Sequence, residues 1–400
     1  MRNSTDLSPL KPTPMRDIIW LFVGTRLMLI VGGFISFILF PIPQHVYPNT
    51  PVNLAAVLQS WNQWDSTYYV RIAQFGYQSL NEAAFFPLFS LLTKGVALLF
   101  GNQAYWLAAL IVSNLALFGA LYMLYQLATD ALGERVGWRT IVYLCLFPTA
   151  FFFFAGYNES LFLFLSCSTL FALRRQRWLL AGAFGLLAAL TRSAGLLLVL
   201  PYLYELWNAR DQSQADLGSL LKNSFLKALP LLLIPLGTLL YSLYCWRHFH
   251  DPLAFATVQK YWGRAFSWPW MGLYDAFKQL FFIQGFGTFS EIHIFIDLTA
   301  TLGFIALAIL GWKRLRPSYT LWAGLLLLYI LCSSATSVMN SPDADILMSN
   351  QRFVLEMFPC FITLAALGLK YHRLHQGILL CFPFLQALMM ALFVLSRWMV

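Results

Sequence analysis

Apolar runs close to the ~20 residues that a helix needs to cross a bilayer recur along almost the whole sequence. Lipid offers a backbone no hydrogen bonds, so such runs must be helices or strands of a closed barrel. They are continuous and long, where a barrel needs short alternating segments. Of the 400 residues 59% are hydrophobic and only 11% charged, against about 25% charged in soluble domains. The chain reads as an all-α polytopic membrane protein, a single integral membrane domain over residues 1–400. It shows no tandem repeat and no separable soluble domain.

Charge orients it. The formal net charge is +9, and the basic residues cluster in short loops, as the positive-inside rule expects. Nucleic-acid binding is therefore not indicated. Arg2, Lys11 and Arg16 place the N-terminus in the cytoplasm, and a first span over about 18–40 is too long for a cleaved signal peptide. Residues 83–100 are short and apolar, with Pro87 near their start and Lys94 in the middle. If this run crossed the membrane, the loops holding Arg135 and Arg139, Arg174, Arg175 and Arg177, and Lys313, Arg314 and Arg316 would all face outward. An interfacial helix, with Lys94 snorkelling to the headgroups, keeps them inside. Ten spans then follow the first, near 105–128, 140–155, 158–173, 178–191, 194–208, 229–246, 292–312, 318–336, 353–369 and 376–396, about eleven in all. The runs at 140–173 and 178–208 are nearly continuous and read as bent pairs of half-helices. The large outer segments are 41–104, 247–291 and 337–352.

Polar chemistry gathers on that outer side, first in Trp61–Pro87, WNQWDSTYYVRIAQFGYQSLNEAAFFP. Asp65, beside Trp64 and Ser66 and just before Tyr68 and Tyr69, is placed to accept a hydroxyl proton as a general base. The aromatics can stack on a sugar ring; the alternative is an interfacial aromatic belt with a helix-capping Asp. Asn158 and Glu159 open a helix, where Glu159 either complements the dipole or meets a substrate. Arg192 lies within apolar sequence, a costly place that marks a site or a pairing with Glu159. Lys260 and Arg264, interleaved with tryptophans, suit a lipid phosphate or ordinary headgroups. Gln351-Arg352-Phe353 offers a guanidinium fork for a phosphate, or else Arg352 pairs with Glu356 one helical turn on.

Other chemistries are thinly supported. The six cysteines are scattered without a CxxC pair, so neither a disulfide scaffold nor a zinc site is indicated. His248 and His250 have only Asp251 nearby, and no metal is expected. There is no Walker loop, dinucleotide fingerprint or GxSxG motif, and no cofactor is expected.

Trp64-Asp65-Ser66, Tyr68-Tyr69, Ile72-Ala73, Gly76-Tyr77 and Phe85-Phe86-Pro87-Leu88 resemble the PIG-V type mannosyltransferases of the GT-C superfamily. The resemblance continues at Ala155-Gly156-Tyr157, Glu159-Ser160, Arg192-Ser193, the 251–270 loop and Gln351-Arg352-Phe353. It implies a GT-C fold with membrane-parallel helices in the first outer loop, and an essential acid there, Asp65. It implies a polyprenyl-phosphate sugar as co-substrate, usually mannose, and an extracytoplasmic active site without a metal. The compact loops point to a bacterial homologue in the plasma membrane, acting on a lipid or glycolipid acceptor. Asp65 is then the base of an inverting transfer. Arg352, helped by Arg192, Lys260 and Arg264, faces the donor phosphate, while Trp64, Ser66, Tyr68, Tyr69, Asn158, Glu159 and Gln351 contact substrate. A flippase or transporter of lipid-linked sugars is the alternative; it would show inverted repeats and a midplane polar site.

Overall fold

The computed structural model describes residues 14–40, 53–209, 226–283, 289–335 and 346–397. Five helices in it are long and apolar enough to cross a membrane: Met15–Leu39, Tyr105–Leu132, Leu226–Phe249, Glu291–Gly311 and His372–Val394. A sixth crossing arises if Asn350–Glu356 and Phe358–Lys370, bent by 83° between them, act together. The expected eleven spans are thus not matched by eleven long helices. Glu134–Leu146, Glu159–Arg174, Trp178–Thr191 and Pro317–Leu331 have 13 to 16 residues each. At ~1.5 Å per residue they fall short of a ~30 Å hydrocarbon core. The expected span at 194–208 is divided into a 3₁₀ turn, Ser193–Leu198, and a helix, Val199–Asn208. Helices enclosed by neighbours satisfy their ends within the protein, so length ceases to be the constraint there.

The first segment expected on the outer side is built, over residues 53–98, from short pieces. Leu54–Gln59, Asp65–Phe75, the 3₁₀ turn Leu80–Ala84 and Pro87–Leu98 follow one another. Pro87 sits at the start of its helix, where its missing N–H costs nothing. That helix buries Phe89, Ser90, Thr93 and Ala97 and leaves Leu91 and Leu98 exposed. Glu82, fully buried, bonds the backbone N–H of Gln78 at 2.6 Å and pairs with Arg71 at 3.0 Å. Residues 41–52, 284–288 and 336–345 of the expected outer segments lie outside the described residues, as does the basic start of the chain. Among the described residues the all-helical expectation has one small exception. Arg264–Phe266 and Ser333–Ala335 form a two-stranded antiparallel ribbon, Arg264 opposite Ala335.

Small residues bring helices together where lipid supplies no hydrophobic drive. Gly237 lies so close to the Trp178–Thr191 helix that a Cβ there would sit 2.5 Å from the Leu186 carbonyl oxygen. Gly185 is equally tight against Ile234. Backbone cannot yield as a side-chain tip can, so Gly237→Val is expected to cost about 1–3 kcal/mol or more by overpacking. A lower midpoint of thermal aggregation in detergent is the expected readout; an unchanged midpoint would contradict this contact.

Candidate active site

Asp65 opens the Asp65–Phe75 helix, but it does not cap it. The N-cap is Trp64, which makes no side-chain capping bond. Trp64 has φ 53°, a left-handed conformation that costs a non-glycine residue of order 1–3 kcal/mol. This kink starts the helix where the Asp65 carboxylate can reach across the bundle. Its Oδ2 accepts a 2.7 Å hydrogen bond from Arg352 Nη2, over a sequence separation of 287 residues. Asp65 keeps part of its side chain open to the outside, 23% against 9% for Arg352.

Arg352 is shared. Its Nε lies 2.8 Å from Glu159 Oε1, and the same oxygen is 3.3 Å from Arg192 Nη1. Arg192 in turn meets Glu356 Oε1 at 2.5 Å. A chain of alternating charge results: Asp65, Arg352, Glu159, Arg192, Glu356. Each member is set by a break in helix. Glu159 is the first residue of its helix, and Arg192 is an extended residue between a helix and a 3₁₀ turn. Arg352 sits in the four-residue Asn350–Phe353 turn, with Glu356 just before the 83° bend. Of the pairings left open by the sequence, Arg192–Glu159 is present. Glu356 is taken by Arg192, and Arg352 pairs with the two distant acids.

The chain carrying this network matches the mannosyltransferase (PIG-V) family over residues 43–262, more than half its length. It belongs to the PIG-V mannosyltransferase family. Asp65, Asn158, Glu159, Arg192 and Lys260 lie inside the matched stretch; Arg264 and Gln351-Arg352 lie beyond it. GPI mannosyltransferase 2 of Yarrowia lipolytica is 30% identical over 216 residues, which cover 52% of this chain and 59% of that protein. GPI alpha-1,6-mannosyltransferase 2 of Rattus norvegicus is 30% identical over 203 residues, covering 46% and 41%. The matches thus span about half the length of these relatives. ArnT from Cupriavidus metallidurans, solved with undecaprenyl phosphate, superposes with a TM-score of 0.51 at 15% identity. The superposition covers 90% of this chain and 62% of ArnT. The fold is of the GT-C type.

The other residues singled out in this PIG-V family member divide into framework and rim. Ser66, 1% exposed, donates to Asn62 Oδ1 at 2.8 Å. Tyr69 is buried edge-on to Phe85 and Phe89. Asn158 donates to the Thr191 carbonyl at 3.0 Å and accepts from Arg192 at 3.4 Å. Gln351, also 1% exposed, is held through its backbone, its carbonyl by Thr149 and its N–H by Asp297 Oδ1, both at 2.7 Å. These four, expected at the substrate, are buried, and Asn158 and Gln351 bond to the segments that carry Arg192 and Arg352. Glu159, fully buried, is itself a member of the network. Tyr68 is half-buried, stacked on Phe85 at 4.9 Å with Trp262 at its edge. Trp64 is half-buried at the helix start, and Lys260 is exposed.

Arg264 differs from the other two arginines. Its polar partner is the Met348 carbonyl at 3.4 Å, and among the described residues no carboxylate pairs with it. Burial pushes its guanidinium below its usual value. It lines a small cleft with Arg192, Tyr329, Ser333, Asn350, Phe353 and Glu356. Among the described residues no three His, Cys, Asp or Glu side chains come together as a metal site.

Asp297 escapes a reading centred on the outer loops. It is fully buried in the Phe289–Gly311 helix and carries the turn that presents Arg352. Its signal is a lone acid inside an apolar span, which by default marks function. Gly156 is the other support. A Cβ there would stand 2.5 Å from Ser66 Oγ and 3.0 Å from the Ala109 Cβ. Gly156→Ala is expected to push the start of the Asp65 helix outward and cost about 1–3 kcal/mol. A thermal midpoint equal to wild type would contradict it.

Proposed function

We propose that this protein transfers mannose from a polyprenyl-phosphate donor to a hydroxyl of a lipid or glycolipid acceptor, on the extracytoplasmic side of the plasma membrane. The observation that carries this reading is the 2.7 Å contact of Asp65 with Arg352, within a buried chain of alternating charge. Asp65 is the member of that chain most open to the outside, so it is the one an acceptor hydroxyl can reach. It takes the hydroxyl proton as the oxygen attacks the anomeric carbon. The bond from that carbon to the donor phosphate breaks, and the lipid phosphate leaves with the electron pair. One base and one attack on the face opposite the leaving group give inversion.

The leaving phosphate needs cations. Arg352 spends much of its charge on Asp65 and Glu159, so its main part in the resting protein is to aim Asp65. Among the described residues no carboxylate pairs with Arg264; in the cleft Glu356 is taken by Arg192, so the Arg264 charge is the one left for the phosphate. Lys260, exposed nearby in sequence, adds attraction at the rim.

Purified protein in liposomes, given labelled polyprenyl-phosphate mannose and a membrane lipid extract, is expected to place label on a new lipid. Label that only changes leaflets would make the protein a flippase and end the transferase reading.

A further inference from the structure

One aromatic ring touches all three cations of the site. The guanidinium carbons of Arg192, Arg264 and Arg352 lie 4.7, 4.9 and 5.0 Å from the centre of the Phe353 ring. Phe353 is 7% exposed and borders the cleft that Arg192 and Arg264 line. Like charges gathered this closely repel, and the carboxylates offset the repulsion unevenly. Arg352 has Asp65 and Glu159, Arg192 has Glu159 and Glu356, and Arg264 has a carbonyl at 3.4 Å. The negative face of a benzene ring attracts a guanidinium within about 6 Å of its centre, more strongly when water is excluded. Among the described residues the ring is the shared contact that joins Arg264 to the other two.

We infer that Phe353 is a positioning residue, whose ring gathers Arg192, Arg264 and Arg352 and keeps Arg264 turned into the cleft to receive a lipid phosphate. The inference rests on the proposed donor reading for its ligand. It assigns to Phe353 a work beyond filling space, because an aliphatic side chain of equal bulk would fill the same volume without attracting a cation. A sulfur-containing chain such as methionine packs adaptably and serves as that control. Loss of one buried contact of this kind corresponds to roughly a tenfold change in affinity.

The test measures binding of radiolabelled undecaprenyl phosphate to the full-length protein in nanodiscs. Wild type is expected to bind saturably. Phe353→Met is expected to bind about tenfold more weakly at an unchanged melting midpoint, and Phe353→Tyr to stay within about threefold of wild type. Phenylalanines carrying one, two and three ring fluorines at position 353 keep the shape and drain the ring's charge. Affinity is expected to fall stepwise along that series, which also decides the matter if the methionine variant does not fold. Wild-type binding with a flat fluorination series overturns the role of Phe353 and leaves the donor reading intact. Absence of binding by wild type overturns the donor reading and this inference together.

Discussion

Asp65→Asn is expected to lower mannose transfer by about 10²–10⁴, the usual worth of a positioned general base, while the protein still inserts and folds. Asparagine keeps the shape and one acceptor oxygen, so the 2.7 Å contact from Arg352 has a substitute. The lost charge lies at the partly open end of the network, where solvent screens it, and Arg352 retains Glu159. Stability is therefore expected to stay near wild type, and binding of the donor lipid with it. Single-turnover transfer of labelled mannose at saturating donor, beside a melting curve, separates the two effects. Turnover equal to wild type would remove Asp65 from the chemistry. Lost transfer together with lost donor binding would instead make it a residue that shapes the site.

How far the sequence reaches can be judged on this network. The residue types were legible: an acid among aromatics, an Asn-Glu at a helix start, an arginine in apolar sequence and a Gln-Arg-Phe turn each stood out for their cost in lipid. Their partners were not legible, because helical periodicity presumes an unbroken helix. Arg352 and Glu356 are four residues apart and would share a face of one. The change from the Asn350–Phe353 turn to the 3₁₀ turn Val354–Glu356 breaks that register between them. Each side chain is then free to meet a residue far away in sequence. The shortness of several helices is hidden for a related reason. Hydropathy counts apolar residues and cannot tell a helix facing lipid from a short one enclosed by its neighbours. Pro317–Leu331 and Trp178–Thr191 are apolar for packing as much as for crossing. In the 83–100 run the helix is Pro87–Leu98, 12 residues long, short of the ~20 a crossing needs.

Arg352→Met is expected to destabilise the fold by about 3 kcal/mol, near the lower end of what removing one partner from a buried ion pair costs. Glu159 is fully buried, and its Oε2 has no hydrogen-bond partner among the described residues. Without Arg352 it depends on Arg192 at 3.3 Å, a cation already committed to Glu356 at 2.5 Å. Two buried carboxylates would then share one guanidinium, and their mutual repulsion and lost hydration account for the cost. Adding Glu159→Gln removes the surplus negative charge, so the double variant is expected to regain most of the loss and melt closer to wild type. Transfer is expected to stay low in both, since neither restores the group that aims Asp65. Thermal aggregation of the two variants and the Glu159→Gln single variant in one detergent completes the cycle. If Arg352→Met and the double variant melt alike, the two sites are uncoupled and the buried charge chain does not hold this end of the bundle together.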